Sequence, residues 1–266
     1  MKATEIFDVT DKVVLITGGA NGIGAALARA LADNGARVTL LDVDLAAAEE
    51  TARALVAAGG HVTVEVADLT DFAQVQAAID RVVAREGHLD AVFANAGIPA
   101  GPGFLSAGER SEQGAIENIP FDLWKKVLDI NLHGVFRTVK AAVPHLKNNG
   151  GGRIVVTTST AATRTSVAVG TPYLATKAAS AHLVRQLAME LAPFNILVNA
   201  IQPGPFRTRI TTPELAEIFK SNSPMHKVGE LEEIEGLALF FVSNASSFVT
   251  GAQYTVDGGN LLGRAD

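Results

Sequence analysis

The chain contains no cysteine. That excludes disulfide staples and thiolate metal sites, and it suits a reducing compartment, so a cytoplasmic location is expected. The six histidines are scattered and none forms a His-Glu-x-x-His pair, so no protein-bound catalytic metal is expected. Basic residues are outnumbered, 22 Lys and Arg against 28 Asp and Glu, for a net charge of -6. Nucleic acid needs a basic face to meet its phosphates, so no nucleic-acid partner is expected. No apolar run is of membrane-spanning length. Met1 to Thr17 mixes acids with apolar residues and has no signal-peptide core, so no membrane partner is expected either. Repeats, low-complexity tracts and Pro/Ser-rich linkers are absent as well, which points to one domain over residues 1–266. What the chain does have is apolar content, 48% of its residues. A domain of this size buries roughly three quarters of its unfolded surface, enough for one large core.

The apolar residues fall in an alternating pattern. Val13-Val14-Leu15-Ile16 reads as a strand apolar on both faces, as in a covered parallel sheet. The segment Thr17-Gly18-Gly19-Ala20-Asn21-Gly22-Ile23-Gly24 follows, then a helix to about Asn34 with Ile23, Leu27, Ala30 and Leu31 at helical spacing. Val38–Leu41 and His61–Val66 are expected strands, separated by an Ala-rich helix from Leu45 to Ala58. A helix through Phe72, Val75, Ile79 and Val82 leads to a strand from Leu89 to Ala94. Phe121 to about Asn148 reads as one long helix, Arg153–Ser159 as a strand, and Pro172–Leu191 as a helix. Ile196–Ile201 is a strand, Leu231–Val242 a helix and Gln253–Val256 a last strand. This alternation predicts right-handed crossovers and a doubly wound parallel α/β sheet of seven strands, with helices on both faces. Two segments stand apart. Residues 98–120 form a long Gly-, Pro- and charge-rich loop, and residues 205–229 read as a lid with a short helix from Pro213 to Lys220.

Three stretches carry chemistry. The glycine turn follows a buried strand and opens a helix, so its N–H groups can meet an anion and its glycines let a ligand approach the backbone. Its spacing, Gly18-x3-Gly22-x-Gly24, is neither the usual Gly-x-Gly-x-x-Gly fingerprint nor a phosphate loop. Asp42 closes the second strand 18 residues after Gly24, where an acid can bind ribose hydroxyls and repel a 2′-phosphate. No Lys or Arg stands in the turn or directly after Asp42, so NAD is favoured over NADP. The third stretch is Tyr173-Leu174-Ala175-Thr176-Lys177, which puts a phenol and an ammonium one helical turn apart, with Ser159 upstream. An ammonium nearby favours the phenolate, and a shift of about 3 units from the reference value of ~10 makes Tyr173 an acid and base near neutral pH.

In order along essentially the whole chain, these motifs resemble the short-chain dehydrogenase/reductase family, in its branch of one domain of about 250 residues. The glycine turn is similar to the family's cofactor turn, with Gly18, Asn21, Gly22, Ile23 and Gly24 as its contacts. Asp68-Leu69 resembles the adenine-contacting pair, and Asn95-Ala96-Gly97 the motif at the end of the central strand. Pro203, Gly204 and Thr208 resemble the nicotinamide-side segment. Asn131, Ser159, Tyr173 and Lys177 stand where the catalytic tetrad falls. The resemblance implies hydride transfer between NAD and a secondary alcohol or ketone. In it Tyr173 moves the proton, Lys177 keeps it acidic and binds the nicotinamide ribose, and Ser159 donates to the reacting oxygen. Asn131, at a local break in the long helix, holds a water that links Lys177 to solvent. It also implies a homotetramer or homodimer, through helices 121–148 and 173–191.

Departures from the pattern are expectations to be tested. Ser159 lies 14 residues before Tyr173 and Thr160 lies 13 before, the commoner distance, although the strand-side match favours Ser159. Phe206 replaces a smaller aliphatic residue, and the loop after Gly97 is about ten residues longer than in the simplest members. Arg164 is weighed as a ligand for a substrate carboxylate against a plain surface residue. His133, His226, Phe121 and Trp124 are read as ordinary polar and packing residues. An NAD-binding regulator without turnover is the main alternative. A lyase or epimerase lacks room for its substrate domain, a scaffold leaves the motifs unexplained, and enoyl reductases of the wider family space Tyr and Lys further apart.

Overall fold

Val13–Thr17 forms β1, and all five residues are buried. Only a strand covered on both faces has this pattern, and that is its place in the computed structural model, which describes residues 2–106, 109–208, 211 and 213–263. One helical turn, α1 (Ala3–Ile6), precedes it. After it come α2 (Gly22–Asp33), β2 (Arg37–Asp42), α3 (Leu45–Ala57), β3 (His61–Val66), α4 (Phe72–Glu86) and β4 (Ala91–Ala94). Local chemistry sets these ends. Asp44 caps α3 by accepting from Ala47 N–H, Asp71 caps α4 through Ala73 N–H, and Gly87 closes α4 in the left-handed region. β4 starts at Ala91 rather than Leu89, because the Asp90 carboxylate is occupied by Val13 N–H at 2.8 Å and the Lys12 ammonium at 3.0 Å.

The segment 98–120 contains a small antiparallel hairpin, β5 (Leu105–Ser106) with β6 (Glu109–Arg110), and two 3₁₀ turns. Its start pairs with the chain ahead of the Tyr173 helix: Gly103 N–H donates to Ala168 O at 3.1 Å and Leu105 N–H to Val167 O at 3.0 Å. Residues 107 and 108 of this segment, and 209, 210 and 212 of the segment 205–229, lie outside the described residues.

The expected long helix comes in two pieces, α5 (Phe121–Leu128) and α6 (Gly134–Asn148), joined by a π turn at Asp129–His133. Such an inserted residue re-aims the side chains around it, and Asn131 sits at its centre. The chain continues through β7 (Gly152–Thr157), α7 (Thr171–Leu191), β8 (Ile196–Pro203), α8 (Pro213–Ser221), α9 (Glu232–Val242) and β9 (Gln253–Val256). β7 ends two residues earlier than expected, since Ser159 turns out of the strand to cap the 3₁₀ turn Thr160–Ala162.

The seven main strands form one parallel sheet in the order β3-β2-β1-β4-β7-β8-β9. One core layer packs α4, α6 and α7 on one face, through Val75, Ile79, Val139, Leu146 and Val184. The other packs α2, α3 and α9 on the opposite face, through Leu27, Leu31, Leu55 and Phe241. The order reverses between β1 and β4, and at such a switch point the loops beyond the strand ends part to leave a crevice. The ends of 205–229 meet in a parallel bridge, Phe206 with Gly229. Phe206 is buried under that bridge, and a Cβ on Gly229 would lie 2.9 Å from its ring. This accounts for a phenylalanine where a smaller residue was expected. Among the described residues, no helix is long and apolar enough to cross a membrane.

Candidate active site

Every sequence-derived cofactor and catalytic candidate lies at or beyond the C-terminal ends of the strands, apart from Asn131 and the two residues of α7, whose helices flank that end. Thr17 closes β1, and its hydroxyl accepts from Asn95 N–H at 3.0 Å and Ala96 N–H at 3.2 Å. The Asn95 amide in turn donates to Thr17 O at 3.1 Å and Gly18 O at 3.3 Å. The glycine turn is thereby stitched to the end of β4. No larger residue fits there: a Cβ on Gly18 would sit 2.8 Å from Ala96 Cα, and one on Gly24 2.1 Å from Gly18 O. Gly18 has φ +65° and Gly22 φ +54°. Asn21 is the N-cap of α2, yet its side chain makes no capping bond. The leading N–H groups of α2 are left to an anion such as a dinucleotide pyrophosphate. Ile23 packs into the core beneath, and Thr208 approaches Gly22 from the far side of the turn.

Asp42 is anchored at the end of β2, with one carboxylate oxygen accepting from Ala20 N–H and the other from Asp44 N–H, both at 3.1 Å. Its charge therefore stands beside the glycine turn. Asp68 is turned inward on Thr70, whose N–H and hydroxyl both donate to it at 2.8 Å. Leu69 is buried, and its carbonyl accepts from Arg137 at 3.0 Å. Arg137 also donates to the Asp129 carbonyl and carboxylate, tying this segment to the π turn. Pro203 ends β8, and Gly204 lies so close to Asp257 that a Cβ would come within 2.4 Å of it.

The remaining candidates converge on α7. Lys177 is buried and donates to Thr157 O at 2.7 Å. Burial lowers its pKa to about 8. Asn131 is fully buried, its amide accepting from Ile98 N–H at 2.8 Å and donating to Ile98 O at 2.9 Å. Gly97 brings these groups together: a Cβ there would stand 3.3 Å from Asn131 Oδ1 and 3.6 Å from Lys177 Nζ. Ser159, rather than Thr160, is the hydroxyl whose influence reaches Tyr173 and pulls its pKa down. Burial raises the Tyr173 pKa more than Ser159 lowers it, for a net upward shift. The expected acidification by Lys177 is not seen. Its ammonium lies 5.5 Å from the Tyr173 ring centroid and is engaged on Thr157 instead.

Sequence reasoning missed Thr157, whose hydroxyl donates to Asn95 Oδ1 at 2.9 Å while its carbonyl holds Lys177. Its place at the strand end just before Ser159 was the available signal. Arg137 and Gln202 were missed as well, and no motif marks them. Arg164 is exposed and donates to Asn260 O at 2.7 Å, so it secures the C-terminal turn rather than standing free for a carboxylate. His133 pairs with Asp129 on the helix surface, and His226 is exposed with φ +50°. Among the described residues, no group of three or more acids and histidines could hold a metal.

The arrangement is a phenol, a hydroxyl near it and a buried amine, next to a glycine turn that leaves the leading N–H groups of α2 free. Residues 18–260 match the family model described as enoyl-(acyl carrier protein) reductase. The chain is 34% identical to a cyclohexanol dehydrogenase of Acinetobacter sp. (strain SE19), over 93% of this chain and 94% of that one. It superposes on a gluconate 5-dehydrogenase from Burkholderia cenocepacia in complex with NADP and tartrate, with a TM-score of 0.87, 31% identity and coverage of 97% and 98%. It also superposes on a 3-oxoacyl-[acyl-carrier protein] reductase with bound NAD from Brucella melitensis, with a TM-score of 0.84, 34% identity and coverage of 96% and 93%. The chain belongs to the short-chain dehydrogenase/reductase family and is a hydride-transfer oxidoreductase acting on CH–OH groups.

Proposed function

We propose that the chain is an NAD-dependent dehydrogenase/reductase interconverting a secondary alcohol and its ketone, with Asn131, Ser159, Tyr173 and Lys177 as its catalytic residues. The observation that carries this reading is the placement of Lys177, buried one turn along α7 with its ammonium 5.5 Å from the Tyr173 ring centroid, while Ser159 draws the Tyr173 pKa down. A nicotinamide cofactor bound along the crevice supplies or accepts the hydride. Tyr173 gives or takes the proton at the substrate oxygen. Ser159 donates to that oxygen as charge develops on it. Lys177 holds a positive charge beside the phenol, and Asn131, at the centre of the π turn, holds a water that links Lys177 to solvent.

NAD is our choice over NADP because of Asp42. Its carboxylate is held by two backbone N–H groups at the end of β2, beside the glycine turn, where it would meet an adenosine ribose. Against a 2′-phosphate about 5 Å away, at an effective dielectric of about 20, each charge pair opposes binding by roughly 3 kcal/mol before screening. The lid 205–229 and the loop 98–120 border the crevice and are the segments to which we assign substrate choice. For a partner we propose a second copy of the chain, as a homotetramer or homodimer. The exposed Phe121 and Phe136, on α5 and α6, and Met189, on α7, are apolar groups for such contacts to cover. A cytoplasmic location fits the absence of cysteine.

The test is reduced-nicotinamide absorbance with purified protein, wild type beside Tyr173→Phe. NAD and NADP are offered with secondary alcohols, cyclohexanol among them, and the reduced cofactors with the matching ketones and an enoyl thioester. Turnover of alcohol or ketone with NAD, lost in the variant, is the expected result. NAD binding by calorimetry without any turnover would favour a regulator instead. Reduction of the enoyl thioester alone would overturn the assignment to CH–OH chemistry.

A further inference from the structure

Gln202 is buried to 3% exposure near the end of β8, two strands from the crevice's centre line. All its polar atoms are occupied. Its amide nitrogen donates to Ser159 O at 3.1 Å and to Thr163 Oγ1 at 2.6 Å, and its oxygen accepts from Thr255 Oγ1 at 2.8 Å. Thr255 is its direct partner in the β8–β9 register. The bond from Thr255 leaves the carbonyl oxygen on the β9 side, so the NH₂ group has one orientation, towards the loop after β7.

That loop needs an anchor. Ser159 lies past the end of β7 in extended backbone, and it caps the 3₁₀ turn by accepting from Ala161 N–H at 3.1 Å. Its neighbour Thr158 is bonded to the β8 backbone, Thr158 N–H donating to Ile201 O at 2.8 Å. From Ser159 to Thr163, the cross-links from β8 are the two made by Gln202. We propose that Gln202 is a positioning residue that sets the Ser159 hydroxyl against Tyr173 by fixing the carbonyl of Ser159 and the far end of the turn it caps. This rests on the assignment of Ser159 and Tyr173 above. The effect runs through one backbone unit: a buried amide with three short bonds resists rotation, and losing its donors leaves the Ser159 carbonyl with the Ala162 N–H of its own turn, at 2.8 Å, and no tie to β8.

The experiment compares Gln202→Leu, Ser159→Ala and the double variant in two readouts. One is kcat with NAD and cyclohexanol, beside the NAD dissociation constant. The other is the phenolate absorbance of the cofactor-free protein against pH. The chain has two tyrosines, so subtracting Tyr173→Phe isolates Tyr173. The expected result for Gln202→Leu is a kcat lower by roughly tenfold or more, an NAD dissociation constant within about twofold, and a Tyr173 transition moved to higher pH. In the Ser159→Ala background the same substitution should add little to either change, as for residues acting through one another. Equal effects in both backgrounds, or no effect in wild type, overturn the proposal. If Ser159→Ala itself leaves kcat unchanged, the assigned role of Ser159 fails, while the titration still decides whether Gln202 holds Ser159 against Tyr173. Should Gln202→Leu not fold, Thr163→Val removes one of the two acceptors at an exposed residue. A smaller upward shift of the same transition supports the proposal, and no shift overturns it.

Discussion

The Lys177 ammonium donates to the carbonyl oxygen of Thr157 across 2.7 Å, with both groups buried. One neutral acceptor does not replace the hydration of an ammonium. The Lys177 pKa accordingly falls from 10.5 to about 8. Below pH 8 the lysine is charged in both states, and folding carries a desolvation penalty of roughly 3 kcal/mol. Between about 8 and 10.5 the unfolded chain binds a proton that the folded chain does not, so stability rises with pH through that window. Lys177→Met should therefore be inactive yet more stable than wild type at pH 7 by about 3 kcal/mol, a gap that closes as the pH approaches 10.5. Denaturant unfolding at a series of pH values checks this, and a gap independent of pH would remove Lys177 as its source.

Gly24→Ala should abolish cofactor binding. Its Cβ would fall 2.1 Å from Gly18 O and 2.7 Å from the Asn95 amide, so the stitch between β1 and β4 must open. Calorimetry with NAD should show at least a hundredfold weaker binding, about 3 kcal/mol. Gly236→Ala, whose Cβ meets nothing within 4 Å, serves as the control and should bind as wild type.

Asp42→Ala should narrow the preference for NAD. Removing the carboxylate relieves the repulsion of a 2′-phosphate and discards its bonds to Ala20 and Asp44. NADP should gain roughly tenfold in kcat/KM while NAD loses a similar factor, each about 1.4 kcal/mol. Equal losses for both cofactors would mean that Asp42 only braces the turn.

Asn131→Ala should destabilise the protein by about 1 to 3 kcal/mol, because two bonds to the half-buried Ile98 backbone vanish. Protection of the segment 98–120 from limited proteolysis should fall with it. Cleavage at the wild-type rate would show that Asn131 does not anchor that segment.

Much of this was legible because it was written in side chains. The run Val13–Ile16 could only be a covered strand, and β3 spans His61–Val66, the bounds its alternation predicts. The break at Asn131 was expected from family likeness and is a π turn. What escaped is carried by the backbone. The pairing of Gly103 and Leu105 with Ala168 and Val167 uses main-chain groups alone, which any sequence offers. Arg164 finds its acceptor 96 residues away on another backbone carbonyl. Helical spacing likewise gives the proximity of Tyr173 and Lys177, not the orientation that points the ammonium at Thr157.

The bridge between Phe206 and Gly229 makes the intervening stretch a module with joined feet. Gly229 N–H donates to Pro205 O and Arg207 N–H to Gly229 O, so chain entry and exit are fixed in one place whatever lies between them. Doubling the length of such an insert adds only about 0.6 kcal/mol of closure entropy. On the proposed assignment of substrate choice to this stretch, substrate range can therefore drift by exchanging it wholesale, by recombination in nature or by grafting at the bench, while the sheet and the proposed catalytic groups stay as they are.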